Sequence, residues 1–196
     1  MSSSRVNRKH RARQERKRIL VVSEGVVTEA QYIQGLAQYL RTSGVSIRTP
    51  LLKGIGRDPY SVLQATVKLR ESDAEGFDET FALVDVDDHE TLDKCLESSG
   101  AASVGVIVSN PCFEIWLLWH YRDHNRNDST SAVQAALKHE GHEQKAIPTK
   151  FPYEKYVDAV ERADKRNRKM VTSHAGQNPG SSMPRLIEAM ILNAQG

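Results

Sequence analysis

The sequence predicts an α/β protein: a mainly parallel four-stranded sheet flanked by helices, followed by a C-terminal helical extension. Three observations carry this. Between residues 18 and 122, four apolar runs of strand length alternate with segments of helical spacing, the order that builds a parallel sheet covered on both faces. The first of these runs is continuously apolar, as in strands buried on both sides. After Asp123 only helical patterns follow.

Residues 18–23 (RILVVS) read as the first strand. A helix from Thr28 to Leu40 places Ala30, Ile33, Leu36, Ala37 and Leu40 at helical spacing, with Gly44 as its stop. Val45–Leu52 reads as the second strand. Asp58 before Pro59 is an N-cap followed by proline in the first helical position, opening a helix through about Glu71. Thr80–Val86 is the third strand, His89–Ser98 a short helix and Ser103–Ser109 the fourth strand. A further helix starts at Asn110-Pro111 and runs to about Arg122. In the extension, Ser131–His139, Tyr153–Met170 and Pro184–Leu192 read as helices, broken at Phe151-Pro152 and Gln177–Ser182. The chain thus divides into a disordered basic arm over 1–17, an α/β core over 18–122, and a helical extension over 123–196 packed on the core.

A length of 196 residues, 39% hydrophobic and 27% charged, suits one soluble domain with a sizeable core. The longest apolar run, Ile115–Trp119, falls far short of the roughly 18 residues that cross a bilayer. No apolar stretch near the N-terminus is long enough for a secretory signal, so a cytoplasmic protein with no membrane partner is expected. Cys95 and Cys112 are the two cysteines; they cannot form a disulfide framework or a cysteine zinc site, and read as small buried hydrophobes.

The formal charge of +2 conceals an asymmetry. Residues 1–18 carry a net +7 and the remaining 178 a net −5, which favours a polyanionic partner. Arg11, Arg13, Arg16 and Lys17 in the arm are candidate nucleic-acid contacts. Arg166 joins them from the basic Tyr153–Met170 segment, and Arg185 near the start of the last helix. The alternative for Arg166 and its neighbours is a solvated helix face.

Ligands of open α/β sheets bind outside the carboxyl ends of the strands, and acids collect there. The first strand leads into Glu24, the third into Asp85, Asp87 and Asp88, and the fourth into Glu114. If those strands are neighbours, Glu24, Asp85 and Asp87 converge. Residues two apart on an extended chain point to one side with Cα atoms roughly 6–7 Å apart, so Asp85 and Asp87 can share a hard cation. Magnesium needs only a few carboxylates plus water and phosphate oxygens, and such a cation relieves the mutual repulsion of the acids. The rival reading is that Asp87 and Asp88 only cap the helix near His89. Glu114 lies on a segment apolar on nearly every face, where a carboxylate must be paired, metal-bound or protonated; the alternative is a first-turn acid at a helix N-terminus.

Other signals weigh less. His139 and His142, separated by Glu140 and Gly141, lack the spacing of a helical zinc motif. Gly54, Ile55 and Gly56 before a helix resemble half of a phosphate loop, but no Lys-Ser/Thr follows, so a tight turn is expected. Ser23 has no His and Asp partners, and His120 reads as a satisfied core histidine. Glu29, one helical turn past the Glu24 loop, reads as an acid in the first turn of its helix, the alternative being that it lines the rim of the site.

Three motifs together resemble the RloB-like family. They are residues 19–25 (ILVVSEG) with Thr28 and Glu29, the Asp85, Asp87, Asp88 cluster, and residues 109–120 (SNPCFEIWLLWH). The likeness covers about residues 18–122 and extends loosely through Asn178, Pro179 and Ser181. There the family tends to have Asn-Pro-Ser-Thr, whereas this chain has Gly180 after the proline and Ser182 in place of Thr. The resemblance implies a Toprim-like (Rossmann-like) core and a Mg²⁺- or Mn²⁺-dependent phosphodiester site. Glu24 would then be a metal ligand or general acid/base, Asp85 and Asp87 the metal pair, and Asp88 and Glu114 further ligand or positioning residues. It also implies a nuclease acting on DNA or RNA, tRNA among the candidates, in prokaryotic anti-phage defence or abortive infection. The resemblance implies an ABC/AAA-type ATPase partner as well, the chain itself showing no Walker A sequence; a homo-oligomer is compatible with all of this. The rivals are a non-catalytic nucleic-acid-binding or adaptor subunit, and a phosphotransferase or nucleotidyl-processing enzyme sharing the metals.

Overall fold

A computed structural model describes residues 18–86, 90–168 and 170–191. The sheet contains β1 (Ile19–Ser23), β2 (Leu51–Gly54), β3 (Glu79–Asp85), β4 (Gly105–Asn110) and β5 (Gly180–Ser181), in the spatial order β2-β1-β3-β4-β5. The first four are parallel, and β5 pairs antiparallel with β4. The helices are α1 (Thr28–Thr42), α2 (Pro59–Ser72), α3 (Leu92–Ala102), α4 (Glu114–Leu118), α5 (Thr130–Lys138), α6 (Tyr156–Asn167) and α7 (Met183–Met190). One 3-10 turn, Tyr153–Lys155, leads into α6.

Alternation along the strands decides which helices cover which face. Ile19, Val21, Phe81, Leu83 and Ile107 point into one core with α1, α4, α5, α6 and α7. Leu20, Val22, Ala82, Val84, Val106 and Val108 point into the other, with α2, α3 and Met170. The first core is the larger and holds Trp116, Trp119, Phe113 and Tyr32, all essentially inaccessible. Full burial of each such side chain stabilises the fold by roughly 1.5–3 kcal/mol.

Several expected boundaries shift. The second strand was expected over Val45–Leu52, but β2 occupies Leu51–Gly54. Pro50, which has no N–H to donate, separates it from the preceding residues. Those residues pair elsewhere: Ile47 bridges Ile191, and the Arg48 N–H donates to the Met190 carbonyl at 2.7 Å. The helix expected from Asn110 to Arg122 is only α4, preceded by a cis Asn110-Pro111 bond. It ends early because Arg162 takes the Trp119 carbonyl and also holds Asp123 at 2.7 Å. The short helix expected over His89–Ser98 runs instead from Leu92 to Ala102. Tyr153–Met170 resolves into the 3-10 turn and α6, which stops where Arg168 adopts a positive φ of 38°.

The sheet has five strands where four were expected. β5 lies inside Gln177–Ser182, which has the composition of a break. Its pairing comes from register: Asn110 lies opposite Gly180 and Ser109 opposite Ser181. The Ser109 and Ser181 hydroxyls also meet at 3.0 Å, and the Val108 N–H donates to Ser182 Oγ at 2.8 Å. Segment 123–191 therefore supplies the fifth strand as well as helices. Among the described residues no helix is long and apolar enough to cross a membrane.

Candidate carboxylate site at the sheet switch point

From β1 the chain crosses through α1 to β2 on one side, then returns through α2 to β3 on the other. The carboxyl ends of β1 and β3 therefore flank the place where strand order reverses, the usual ligand crevice of such sheets. Glu24 directly follows β1 and Asp85 ends β3. The Glu24 N–H donates to the Leu83 carbonyl at 2.9 Å, and the Asp85 N–H faces Glu24 Oε2 at 3.5 Å.

Two loops hold Glu24 in place. Ser23 Oγ donates to the Gly25 carbonyl at 2.7 Å, so Ser23 shapes the β1–α1 turn. From the β2–α2 loop, the Ile55 N–H donates to the Ser23 carbonyl at 3.1 Å and the Gly56 N–H to the Glu24 carbonyl at 2.9 Å. Gly54 is required by close approach: a Cβ there would lie 2.5 Å from Val26 Cα and 2.6 Å from the Gly25 carbonyl oxygen.

Four acids meet here. Asp85 is held well above the usual carboxylate range by burial first, then by the charges of Glu29, Glu114 and Glu24; the Phe113 N–H opposes the shift. Glu29, only 7% exposed, is raised by burial and by Glu114 and Glu24, and lowered by backbone N–H groups including that of Gly25. Its Oε1 accepts the Gly25 N–H at 3.0 Å, and a side chain at position 25 would overlap its carboxylate. Glu114, half-buried as the first residue of α4, accepts from Gln134 Nε2 at 3.2 Å. Cys112 lies against it, its thiol raised by burial and then by Glu114 and Asp85.

Sequence reasoning undervalued Glu29. Placed four residues after Gly25, it folds one helical turn back onto the loop that carries Glu24. Gly25 was the available signal, because a glycine there leaves room for a carboxylate against the backbone.

Other expected site residues fall as follows. Asp87 and Asp88 lie outside the described residues, as do Arg11, Arg13, Arg16 and Lys17. Arg166 Nη2 donates to the Asn178 carbonyl at 3.1 Å and fastens the segment leading into β5. Arg185 is engaged by Glu188 at 2.6 Å and Asp164 at 3.7 Å. His120 is a satisfied core histidine: Nδ1 donates to the Trp116 carbonyl at 3.1 Å, which leaves Nε2 to accept from the Tyr32 hydroxyl at 3.2 Å. Burial lowers His120 to about 4. Cys95 and Cys112 are both free and buried, although Cys112 precedes α4 and is not helical.

Among the described residues no group of three His, Cys, Asp or Glu side chains is placed to hold a metal ion together. The donor chemistry nevertheless suits a hard cation, because the charges raising Asp85 are all carboxylates.

A doubly wound sheet with clustered acids at its switch point defines the structural class. The chain matches the model for RloB-like protein over residues 19–190 and belongs to that family. No curated protein and no solved structure matches it.

Proposed function

We propose that this chain is a divalent-metal-dependent nuclease with a Toprim-like core, hydrolysing phosphodiester bonds in DNA or RNA as part of prokaryotic anti-phage defence. The observation supporting the reading is the convergence of Glu24, Glu29, Asp85 and Glu114 at the carboxyl ends of β1, β3 and β4. Carboxylates crowded in this way favour a cation as counter-charge.

Glu24 and Asp85, with Asp87 beyond the described residues, would hold Mg²⁺ or Mn²⁺. When bound, such an ion activates water and stabilises the departing oxygen. Glu29 holds the Gly25 turn and through it the position of Glu24. Glu114, which accepts from Gln134, is the fourth acid of the cluster, its charge acting on Asp85 and Glu29. An ABC/AAA-type ATPase partner would control when the site acts.

The test is cleavage of labelled DNA and RNA with Mg²⁺ or Mn²⁺ by wild type, Glu24→Gln and Asp85→Asn. Metal-dependent cleavage lost by at least about 100-fold in both variants, in line with loss of a principal catalytic group, supports the reading. Equal cleavage by all three proteins refutes it.

A further inference from the structure

The half phosphate-loop pattern at Gly54–Gly56 has a different use from the one its composition suggests. The N–H groups of Ile55 and Gly56 are already spent on the carbonyls of Ser23 and Glu24. The anion position at the start of α2 is filled by Asp58, whose carboxylate accepts from the Ser61 N–H at 3.2 Å, from Ser61 Oγ at 2.6 Å and from Thr91 Oγ1 at 2.8 Å. The loop therefore does not cradle a phosphate with its backbone. It binds the Glu24 turn and presents Arg57 next to it.

Arg57 and Lys53 are exposed, and neither makes a side-chain hydrogen bond or ion pair among the described residues. A second loop meets the first turn of α1, directly after the Glu24 turn. Thr28 Oγ1 donates to the Lys145 carbonyl at 2.7 Å, and the Ile147 N–H donates to Gln31 Oε1 at 2.9 Å. Lys145 is also exposed and has no side-chain partner among the described residues, with one exposed acid, Glu143, two residues before it. The turn carrying Glu24 is thus flanked by cations on both sides, while its interior is acidic. Val26 and Val27 within that turn are exposed, 60% and 40% accessible.

We propose that Arg57, with Lys53 beside it and Lys145 across the β1–α1 turn, receives the phosphates of a polynucleotide on either side of the bond to be cut. This deepens the nuclease reading and rests on it for the identity of the polyanion. Arg57 is the principal contact. Its planar guanidinium can grip a phosphate through two donors, whereas a lysine offers a point charge, and no described acid offsets it. A strand held at the rim lies with its backbone over the carboxylates, which alone would repel it.

The test measures binding separately from cleavage. Full-length Glu24→Gln protein serves as the parent, titrated with fluorescent single- and double-stranded oligonucleotides across a salt series. Arg57→Ala should weaken binding by about 5- to 10-fold and reduce the slope of log K against log salt by about one. Lys53→Ala and Lys145→Ala should have smaller effects in the same direction. Arg57→Lys should keep most of the slope and recover part of the affinity, and exposed Lys68→Ala on α2 should match the parent. If Arg57→Ala and the double variant with Lys53→Ala both keep the parent affinity and slope, the rim is refuted, even where wild type cleaves. If the rim effects appear but wild type cleaves nothing with Mg²⁺ or Mn²⁺, the rim stands and the nuclease reading falls.

Discussion

At Gly54 one methyl group would push against the turn that follows Glu24. The atoms that a Cβ would meet belong to the backbone of Val26 and Gly25, which cannot rotate aside as a side-chain tip can. Gly54→Ala should therefore lower stability by about 1–3 kcal/mol, read by urea unfolding, and reduce any metal-dependent activity with it. Asp85 carries a second expectation. Its folded pKa lies above the unfolded value, so the stability it contributes is complete below about pH 4 and is lost as pH rises through the folded value. Asp85→Asn should accordingly raise the melting temperature at pH 8 in chelator, with the gain shrinking toward pH 4. His120 has the opposite sign: its folded value of about 4 lies below the unfolded 6.5, so its stability is present above pH 6.5 and lost as pH falls toward 4. Urea unfolding at stepped pH should show a shallower loss over that window in His120→Gln.

Helix α2 begins where sequence rules place it, because Asp58 and Pro59 are a local signal. The same carboxylate also ties down Thr91, just before α3, and is lowered to about 2 chiefly by the Ser61 and Thr91 hydroxyls. Asp58→Ala should cost roughly 0.5–2 kcal/mol, measured by denaturant unfolding. β5 shows the contrary case. Two residues, Gly180 and Ser181, carry no strand pattern, yet they extend the sheet because β4 offers a free edge and α6 clamps the segment through Arg166 and Asn167. A Cβ at Gly180 would lie 2.5 Å from both Asn167 Nδ2 and the Gln177 carbonyl oxygen. β1, β3 and β4 were legible because each is a run of apolar residues, whereas β2 (LLKG), at the sheet edge, lies later than its expected place. β5 and the shortened α4 were not legible, because partners from other elements set them: β4 and α6 for β5, Arg162 of α6 for α4.

Across the whole molecule, charge is sorted by position. The first 18 residues carry +7 and the rest −5, and the acids of the crevice are part of that negative body. Adding Mg²⁺ should raise the melting temperature of wild type by a few degrees and leave the Glu24→Gln, Asp85→Asn double variant nearly unmoved, as followed by calorimetry. Removal of residues 1–17 should weaken binding of long nucleic acid and steepen its loss with salt less than in the full chain, while cleavage of short substrates persists.

By itself the sequence determined that a parallel sheet forms, that Glu24, Asp85 and Glu114 stand at or just beyond the ends of its strands, and that the chain resembles the RloB-like family. These follow from local patterns: apolar runs, helix caps and the spacing of acids. Only the tertiary structure decided that Glu29 turns inward, that Arg185 is occupied by its own acids, and that Arg57 stands beside the Glu24 turn with no partner among the described residues. The physical reason is that the state of a charged side chain depends on burial and on neighbours brought by other elements. A glutamate in a first helical turn and a glutamate in an acidic crevice have the same local sequence, and they differ only in what the sheet places across from them.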